Sequence, residues 1–285
     1  MTLARPVGIV PTRPTALRLE LGRGSVFAAV GILAALNAEA GQILSTLTFQ
    51  SPIEAVTGLA GISAVIWAAM VAAWKIGSEE PRRLRGRDTV VISIVVALAF
   101  LPVSFAAQAG LLLCGLYLFA TSPRRAPARR TALVLLALTG PLIWGRILLN
   151  LFAGPILSLD AHIVGAVIGT HVDGNIFLAP SGRGRFVIGD LCSSVHNMSL
   201  AIVLWTTAAM LFKIRIDSRY VAVGVAMAGF MFALNIVRLA AIGLFPEDFV
   251  YLHFGTGAAL FGWAGLIGAA LLAGWGVANA AARQQ

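Results

Sequence analysis

Long apolar runs separated by short polar or basic loops dominate the sequence and restrict what it can fold into. Each run has about 20 residues, the length that a helix needs to cross the hydrocarbon core of a bilayer. Only 12% of the 285 residues are charged, against about a quarter in a soluble domain. The chain therefore cannot cover itself with polar surface, and we expect an all-α polytopic membrane protein. The runs are 25–45, 53–74, 131–153, 192–212, 220–244 and 254–277.

The stretch 89–121 is too long for one membrane span and short for two. Pro102 lies near its middle, where a helix breaks or kinks. Strongly basic loops flank it at 82–87 and 124–130, and short basic loops of this kind stay in the cytoplasm. An even number of crossings is then required. We predict a hairpin of two short helices that turns near Pro102–Gln108.

Counting this hairpin as two crossings gives about eight transmembrane helices with both termini in the cytoplasm. Residues 1–23 are predicted to be a basic cytoplasmic tail, and residues 24–285 a single domain in the cytoplasmic (inner) membrane. The basic residues behind the net charge of +9 cluster in short loops, which is how membrane proteins fix their orientation. We therefore expect no nucleic-acid partner.

Residues 154–191 are the one sizeable segment expected outside the membrane. Their first part, 155–170, is apolar apart from Asp160 and His162, which is typical of an interfacial or re-entrant helix. Their second part has two β-prone runs, Asn175–Ala179 and Arg185–Ile188, around a Pro/Ser/Gly turn. This pattern predicts a small extracytoplasmic β-hairpin just before span six.

Three residues whose side chains can take part in catalysis fall on consecutive predicted spans, at the same face of the membrane. Cys192 lies at the outer start of span six, and His253 at the outer start of span eight. Arg238 lies in span seven, about six residues or roughly 9 Å from its outer end. An arginine inside a span costs at least about 2.5–3.5 kcal/mol, so it usually faces a polar cavity. The topology came from the basic loops alone, so this convergence is an independent indication of a site.

A thiol, an imidazole and a guanidinium together suit acyl transfer through a thioester. A cation or a helix N-terminus lowers a thiol pKa from about 8.5 toward neutrality, so we expect a reactive Cys192. Histidine can take the thiol proton and deliver it to a leaving amine. Arg238 can stabilise an oxyanion or a substrate carboxylate. Asn235, on the same helical face, can hold the guanidinium. His196, one turn beyond Cys192, competes for the role of base.

Several short motifs together resemble the exosortase/archaeosortase family of membrane cysteine peptidases and transpeptidases. They are Ala179–Gly182, the run Gly189-Asp190-Leu191-Cys192-Ser193-Ser194, then Asn235-Ile236-Val237-Arg238, followed by His253 and Gly257. The resemblance covers about residues 150–265. The family order favours His253 over His196 as the general acid/base. Asp190 and Ser193 are supporting residues of the motif around the cysteine.

The resemblance implies an enzyme without a cofactor or metal that cleaves C-terminal sorting signals on the extracytoplasmic face. Its partner would be a membrane-anchored protein with a short motif, a hydrophobic span and a basic tail. The new carboxyl end could pass to water or to an acceptor amine. The family commonly has Cys-Ser-Gly followed by Leu-Arg, whereas this chain continues from Cys192 as Ser-Ser-Val-His. That departure leaves the substrate motif open.

Two other functions fit parts of the sequence. A metal-dependent membrane hydrolase would draw its ligands from residues expected outside the membrane, although no HExxH or CxxC spacing occurs. A multi-pass transporter, or an assembly component of envelope polymer export, would line a path with polar residues inside spans. The metal candidates are His162, His171, Asp173, His196 and His253, and the path candidates are Glu39, Arg146, Asn150, Asn235 and Arg238.

Overall fold

The computed structural model describes residues 22–49, 53, 56, 58–182 and 184–284, and most of them are helical. The first helices are α1 (Arg23–Ala38), α2 (Ala40–Phe49), α3 (Ala64–Gly77), α4 (Gly86–Phe100), α5 (Ser104–Thr121), α6 (Pro127–Thr139) and α7 (Gly145–Ile168). Three strands follow: β1 (Val172–Asp173), β2 (Ile176–Leu178) and β3 (Arg185–Val187). The chain ends with α8 (Ser194–Leu211), α9 (Ser218–Leu244), α10 (Phe249–His253) and α11 (Thr256–Gln284).

Among the described residues, five helices are long and apolar enough to cross a membrane. They are α5, the continuous pair α6–α7, α8, α9 and α11. The pair α1–α2 is bent by 55° and makes a sixth if it counts as one span. The fold is therefore that of a polytopic membrane protein. The count of eight stays a prediction, because α3 has 14 residues and α4 has 15, fewer than the roughly 17 a straight span needs.

The helix break predicted in 89–121 lies where the proline is. α4 ends at Phe100, α5 begins at Ser104, and Leu101–Val103 lies between them. The two helices pack against each other. Proline has no N–H to donate and its ring displaces the preceding turn, so the helix cannot continue through Pro102.

The predicted span 53–74 is helical over a shorter length than expected. α3 begins only at Ala64, where the Ser63 hydroxyl caps it by accepting from the N–H of Val65. Just before it, Leu59, Ala60 and Gly61 all have positive φ, which a continuous right-handed helix does not allow. Of the earlier residues of this run, 54, 55 and 57 lie outside the described residues, as do residues 1–21 of the predicted tail.

The apolar segment 155–170 is helical nearly throughout, as expected, and it follows a kink in the chain. It is the second half of α7, which continues α6 through a π-helical turn at Gly140–Trp144. The helical stretch Pro127–Ile168 has 42 residues, or roughly 60 Å at 1.5 Å per residue, about twice the hydrocarbon thickness. Phe152 has non-helical angles (φ −130°, ψ 24°) three residues before Pro155. The break predicted near residue 154 therefore coincides with a kink at Phe152 that divides α7 into two helical halves, and the second half ends at Gly169 in the left-handed conformation.

The β-hairpin expected from the sequence is present and has an additional strand. β2 and β3 pair antiparallel, with Phe177 opposite Phe186. β1 pairs with the other edge of β2, giving the order β1-β2-β3. A strand of two residues is too short to show alternation of apolar and polar side chains, so the sequence did not predict β1. Phe177 is buried, and a Cβ added at Gly243 of α9 would lie 2.8 Å from its ring. The sheet therefore packs closely on α9.

Among the described residues, three apolar cores organise the helices, and the smallest lies between α8, α9 and α11. The other two are larger. The largest is formed by α1, α3–α6 and α8 and has Phe27, Leu111 and Leu135 at its centre. The second lies between α7, α9 and the sheet, and Cys192 packs against it. At one end of the largest core, buried Arg23 pairs with buried Asp88 at 3.0 Å. Arg23 closes the predicted tail in sequence, but it is the first residue of α1.

Candidate active site

A short 3-10 turn, Asp190–Cys192, presents the cysteine directly ahead of α8. Buried Ser193 caps the helix, because its hydroxyl accepts from the N–H of Val195 at 3.3 Å. The N–H of Ser194 donates to buried Asp160 of α7 at 3.0 Å. A helix start leaves such N–H groups without partners inside the helix. These two bonds satisfy them and fix the turn that carries the thiol.

Cys192 and His253 are in contact across a sequence separation of 61 residues. The Cys192 Sγ lies 3.8 Å from Nδ1 and 3.7 Å from Nε2 of the His253 ring. Both side chains are half-buried. The two distances are nearly equal, so the sulfur is not directed at one ring nitrogen in preference to the other. Catalytic hydrogen bonds are often long before substrate binds.

Aromatic rings hold the imidazole of His253 in place. Phe249, one turn earlier in α10, stacks on it with ring centroids 5.0 Å apart. Phe254 meets it edge to face at 4.3 Å. The stack extends into the sheet, with Phe249 on Phe186 at 5.7 Å and Phe186 on Phe177 at 5.4 Å. Sequence reasoning missed this role, although both sheet phenylalanines lie at the centres of the two predicted strands.

Arg238 contacts the backbone beside the histidine. Its Nε donates to the carbonyl of Leu252 at 3.2 Å, and its Nη2 to the carbonyl of His253 at 3.2 Å. Its Nη1 has no hydrogen-bond partner in the described ranges. Arg238 also lines a cavity of about 120 Å³ between α8, α9 and α11. The guanidinium therefore fixes the end of α10 and keeps one nitrogen available for a ligand.

Asn235 contacts the cysteine turn rather than the arginine. Its Nδ2 donates to the carbonyl of Cys192 at 2.8 Å and to the hydroxyl of Ser194 at 3.2 Å. Its Oδ1 accepts from Nδ2 of Asn197 at 3.1 Å. The expected bond from Asn235 to the guanidinium of Arg238 is not formed. The reason is that the side chain, buried at the α8–α9 contact, reaches the start of α8 first. Asn197, which sequence reasoning did not single out, completes this link.

Burial sets the protonation of the cysteine–histidine pair. It raises the pKa of the Cys192 thiol above its ordinary value, and the charge of Arg238 and a bond to the backbone of Gly189 oppose it without cancelling it. Burial and, secondly, Arg238 lower the pKa of His253. The expectation of a lowered thiol pKa was therefore wrong in sign. At neutral pH the resting pair is a thiol beside a neutral imidazole, which suits base-assisted attack.

His196 and Asp190 face a different space. Both line a cavity of about 580 Å³, together with Glu39, Arg146 and Asn150. His196 is one turn into α8, and within the part of the chain that the structure describes it makes no hydrogen bond to Cys192. The sulfur instead meets His253 at the end of α10, which packs on α9 and α11. Of the two histidines proposed as base, the geometry favours His253.

The residues considered as metal ligands do not form a group. In the described ranges, no three histidine, cysteine, aspartate or glutamate side chains come close enough to share an ion. The Nδ1 of His162 lies 2.7 Å from the carbonyl of Ser158, one turn earlier in its own helix. The candidates are distributed over α7, the sheet, α8 and α10.

Comparison with known proteins yielded no family model, curated protein or solved structure that matches the chain. The chemistry of the site is accordingly argued from its own residues. A half-buried thiol, a neutral imidazole at van der Waals distance and a guanidinium with one available nitrogen supply a nucleophile, a base and an electrostatic stabiliser. These are the groups that acyl transfer requires.

Proposed function

We propose that this chain is a membrane-embedded cysteine peptidase or transpeptidase that acts on C-terminal sorting signals of exported proteins. The observation that carries the proposal is the contact of Cys192 with His253, 3.7–3.8 Å from sulfur to ring nitrogens. The arginine that bonds to the backbone of His253 adds support. The motif resemblance suggests the substrate: a membrane-anchored protein with a short motif, a hydrophobic span and a basic tail.

In the first half-reaction, His253 takes the proton of the Cys192 thiol. The sulfur then attacks the carbonyl carbon of the scissile peptide bond, and a C–S bond forms while the carbonyl oxygen gains negative charge. The available Nη1 of Arg238 can donate a hydrogen bond to that oxygen. When the C–N bond breaks, imidazolium gives its proton to the leaving amine. The products are a thioester on Cys192 and the released membrane anchor.

In the second half-reaction, a nucleophile resolves the thioester. Neutral His253 removes a proton from water or from an acceptor amine, which attacks the thioester carbonyl. The C–S bond breaks and the thiol regains a proton from imidazolium. Water gives hydrolysis, and an amine gives a new amide bond. The chemistry of the pair is the same in both cases, so the acceptor decides the product.

The test is processing of a candidate substrate by the full-length enzyme in membranes, followed by mass spectrometry of the substrate C-terminus. Cys192→Ser, His253→Ala and Arg238→Ala should each accumulate full-length substrate while still inserting in the membrane. The chain offers matched controls in Cys114→Ala and His162→Ala, which remove the second cysteine and a histidine away from the site. Normal processing by Cys192→Ser would contradict the proposal. The mass of the new C-terminus separates hydrolysis from transfer.

A second candidate function, transport, has one observation in its favour. Glu39, Arg146 and Asn150 line the same cavity of about 580 Å³. Glu39 lies at the 55° bend between α1 and α2, and Arg146 is the second residue after the π-helical turn. Irregular helices at membrane depth often line ligand paths. A transporter would be insensitive to Cys192→Ser and sensitive to Arg146→Gln, whereas the enzyme requires the cysteine.

A further inference from the structure

Two basic segments, 124–130 and 213–215, converge on one cavity at the end of the bundle where α6 begins and α8 ends. The cavity measures about 650 Å³. Six cationic side chains and a single carboxylate, Glu79, line it. The cations come from the loop before α6, from the first turn of α6 and from the loop after α8. They are Arg124, Arg125, Arg129, Arg130, Lys213 and Arg215.

Glu79 pairs with two of the six cationic side chains. Its carboxylate accepts from Nη2 of Arg130 at 2.7 Å and lies 3.4 Å from Nζ of Lys213. Hydrogen bonds to both side chains lower the pKa of Glu79. It therefore stays ionised at physiological pH, and its negative charge is already shared by two cations.

Arg129 is held by other groups. Its Nη1 donates to the carbonyls of Phe119 and Ser122 at 3.2 and 3.3 Å. Its guanidinium also lies 3.8 Å from the centroid of the Phe119 ring. An arginine stacked on an aromatic face in this way is fixed in position while its charge is kept.

Arg124, Arg125 and Arg215 are exposed. In the part of the chain that the structure describes, they have no ion-pair or hydrogen-bond partner. Three uncompensated guanidinium groups around one cavity repel each other, and an anion between them relieves that repulsion. Arginine forks match the oxygens of a phosphate, which makes a phosphate a suitable anion.

The apolar walls of the cavity also restrict which kind of ligand fits it. Besides the charged rim, Leu133, Met210 and Ile214 contribute apolar surface. A free ion needs no apolar wall, whereas an amphiphile does. The helices α6 and α8 that form the wall also cross the membrane, so a lipid can reach the cavity from the bilayer.

We propose that this cavity binds the headgroup of an anionic phospholipid, with its phosphate between Arg124, Arg125 and Arg215 and its glycerol and upper acyl carbons on the apolar wall. Basic loops that only fix membrane orientation need no shared cavity and no common carboxylate. Basic pockets between membrane helices are known lipid-headgroup sites. The site is independent of the thiol chemistry proposed above.

The test measures lipid binding to purified full-length protein by native mass spectrometry. The probes are a phosphatidylglycerol and a phosphatidylcholine with identical chains, and inorganic phosphate as competitor. The variant Arg124→Gln/Arg125→Gln/Arg215→Gln removes the three uncompensated charges. The matched control Lys75→Gln/Arg87→Gln/Arg219→Gln removes the same number of exposed charges outside the cavity. A third variant replaces the same three arginines by lysine and keeps the charge.

We expect wild type to prefer phosphatidylglycerol, and the cavity variant to lose at least tenfold in affinity for it, as removal of several charges near a phosphate predicts. The control variant should keep an affinity within about threefold of wild type. The lysine variant should have an affinity between that of wild type and that of the cavity variant. Equal losses in the cavity and control variants would overturn the proposal in favour of general surface charge. Displacement of the lipid by millimolar phosphate would overturn it in favour of a free-anion site.

Discussion

At the residue scale, the cysteine–histidine pair depends on hydrogen bonds that side chains of a third helix donate to the backbone carbonyl of each residue. Asn235 holds the carbonyl of Cys192, and Arg238 holds the carbonyl of His253. Both come from one turn of α9, so a single helix face sets the separation of nucleophile and base. Such support is what keeps reacting groups within the tolerance that acyl transfer needs.

The first prediction concerns the pH dependence of the thiol. The charge of Arg238 lowers the pKa of Cys192, against the larger effect of burial. Arg238→Gln removes the lowering effect, so the thiol pKa should rise further. Iodoacetamide labelling of Cys192, followed by mass spectrometry, should reach half its maximal rate at a higher pH than in wild type.

The same experiment contains its own control. Cys114 is fully buried and should stay unlabelled in the folded protein at every pH. A labelling midpoint that is unchanged, or that moves to lower pH, would contradict the electrostatic role of Arg238. Because labelling needs no substrate, this result does not depend on the proposed reaction.

The second prediction concerns the link between α8 and α9. Asn235→Ala removes the bonds to the carbonyl of Cys192 and the hydroxyl of Ser194 and leaves both groups buried without them. The expected loss is about 1–3 kcal/mol of stability, the cost of unsatisfied buried polar groups. Thermal unfolding in detergent measures it. Asn150→Ala changes an exposed asparagine and should leave the midpoint unchanged; equal shifts would remove the structural role of Asn235.

At the element scale, the small sheet and α10 act as one support for the imidazole. The sheet is too short to be stable alone, since two or three strands need a packed face. Phe177 packs the sheet against α7 and α9. Phe186 stacks on Phe177 and on Phe249, and it thereby connects the sheet to α10. The hairpin therefore supports the site through the stacking of its phenylalanine rings rather than through backbone contacts.

The third prediction follows from this stack. Phe249→Ala removes the ring beneath His253, so the imidazole can leave the position 3.7–3.8 Å from the sulfur. Substrate processing should slow by about tenfold or more, as small displacements of a catalytic group do. Val250→Ala truncates the next side chain, which is mostly exposed, and should process at the wild-type rate. A normal rate for Phe249→Ala would show that the stack does not position the base.

At the scale of the whole molecule, the order of basic loops and apolar helices places the site and the basic cavity at opposite ends of the bundle. The cavity is formed by the loops before α6 and after α8, whereas Cys192 precedes α8 and His253 closes α10. The proposed topology, which puts the basic loops inside, would place the thiol on the extracytoplasmic side and the proposed lipid site on the cytoplasmic side.

The fourth prediction concerns the number of crossings. If α3 and α4 each cross the membrane as short spans, the loop Leu101–Val103 lies outside and the loop at 123–126 lies inside. Alkaline phosphatase fused after Val103 should then be active, and the same enzyme fused after Arg125 should be inactive. Fusion after Gly182 in the hairpin turn should be active as an outer reference. An inactive fusion after Val103 would reduce the number of crossings below eight.

The sequence by itself determined the features that depend on neighbouring residues. Apolar length predicted the membrane helices, Pro102 predicted the break between α4 and α5, and two β-prone runs around a Pro/Ser/Gly turn predicted the strands β2 and β3. Each is set by local backbone preference or by transfer into lipid, which a short window of sequence contains. The sequence order also placed Cys192 just before one apolar helix, Arg238 within the next and His253 just before the last.

Only the tertiary structure decided which groups meet and what their surroundings do to them. Asn235 bonds the cysteine turn rather than Arg238, Phe249 and Phe254 pack on His253, and burial reverses the expected direction of the thiol pKa. The chain also joins α6 to α7 through a π-helical turn at Gly140–Trp144, which the apolar pattern did not indicate. These outcomes depend on packing between segments tens of residues apart, and burial and long-range contacts of that kind have no local signature in the sequence.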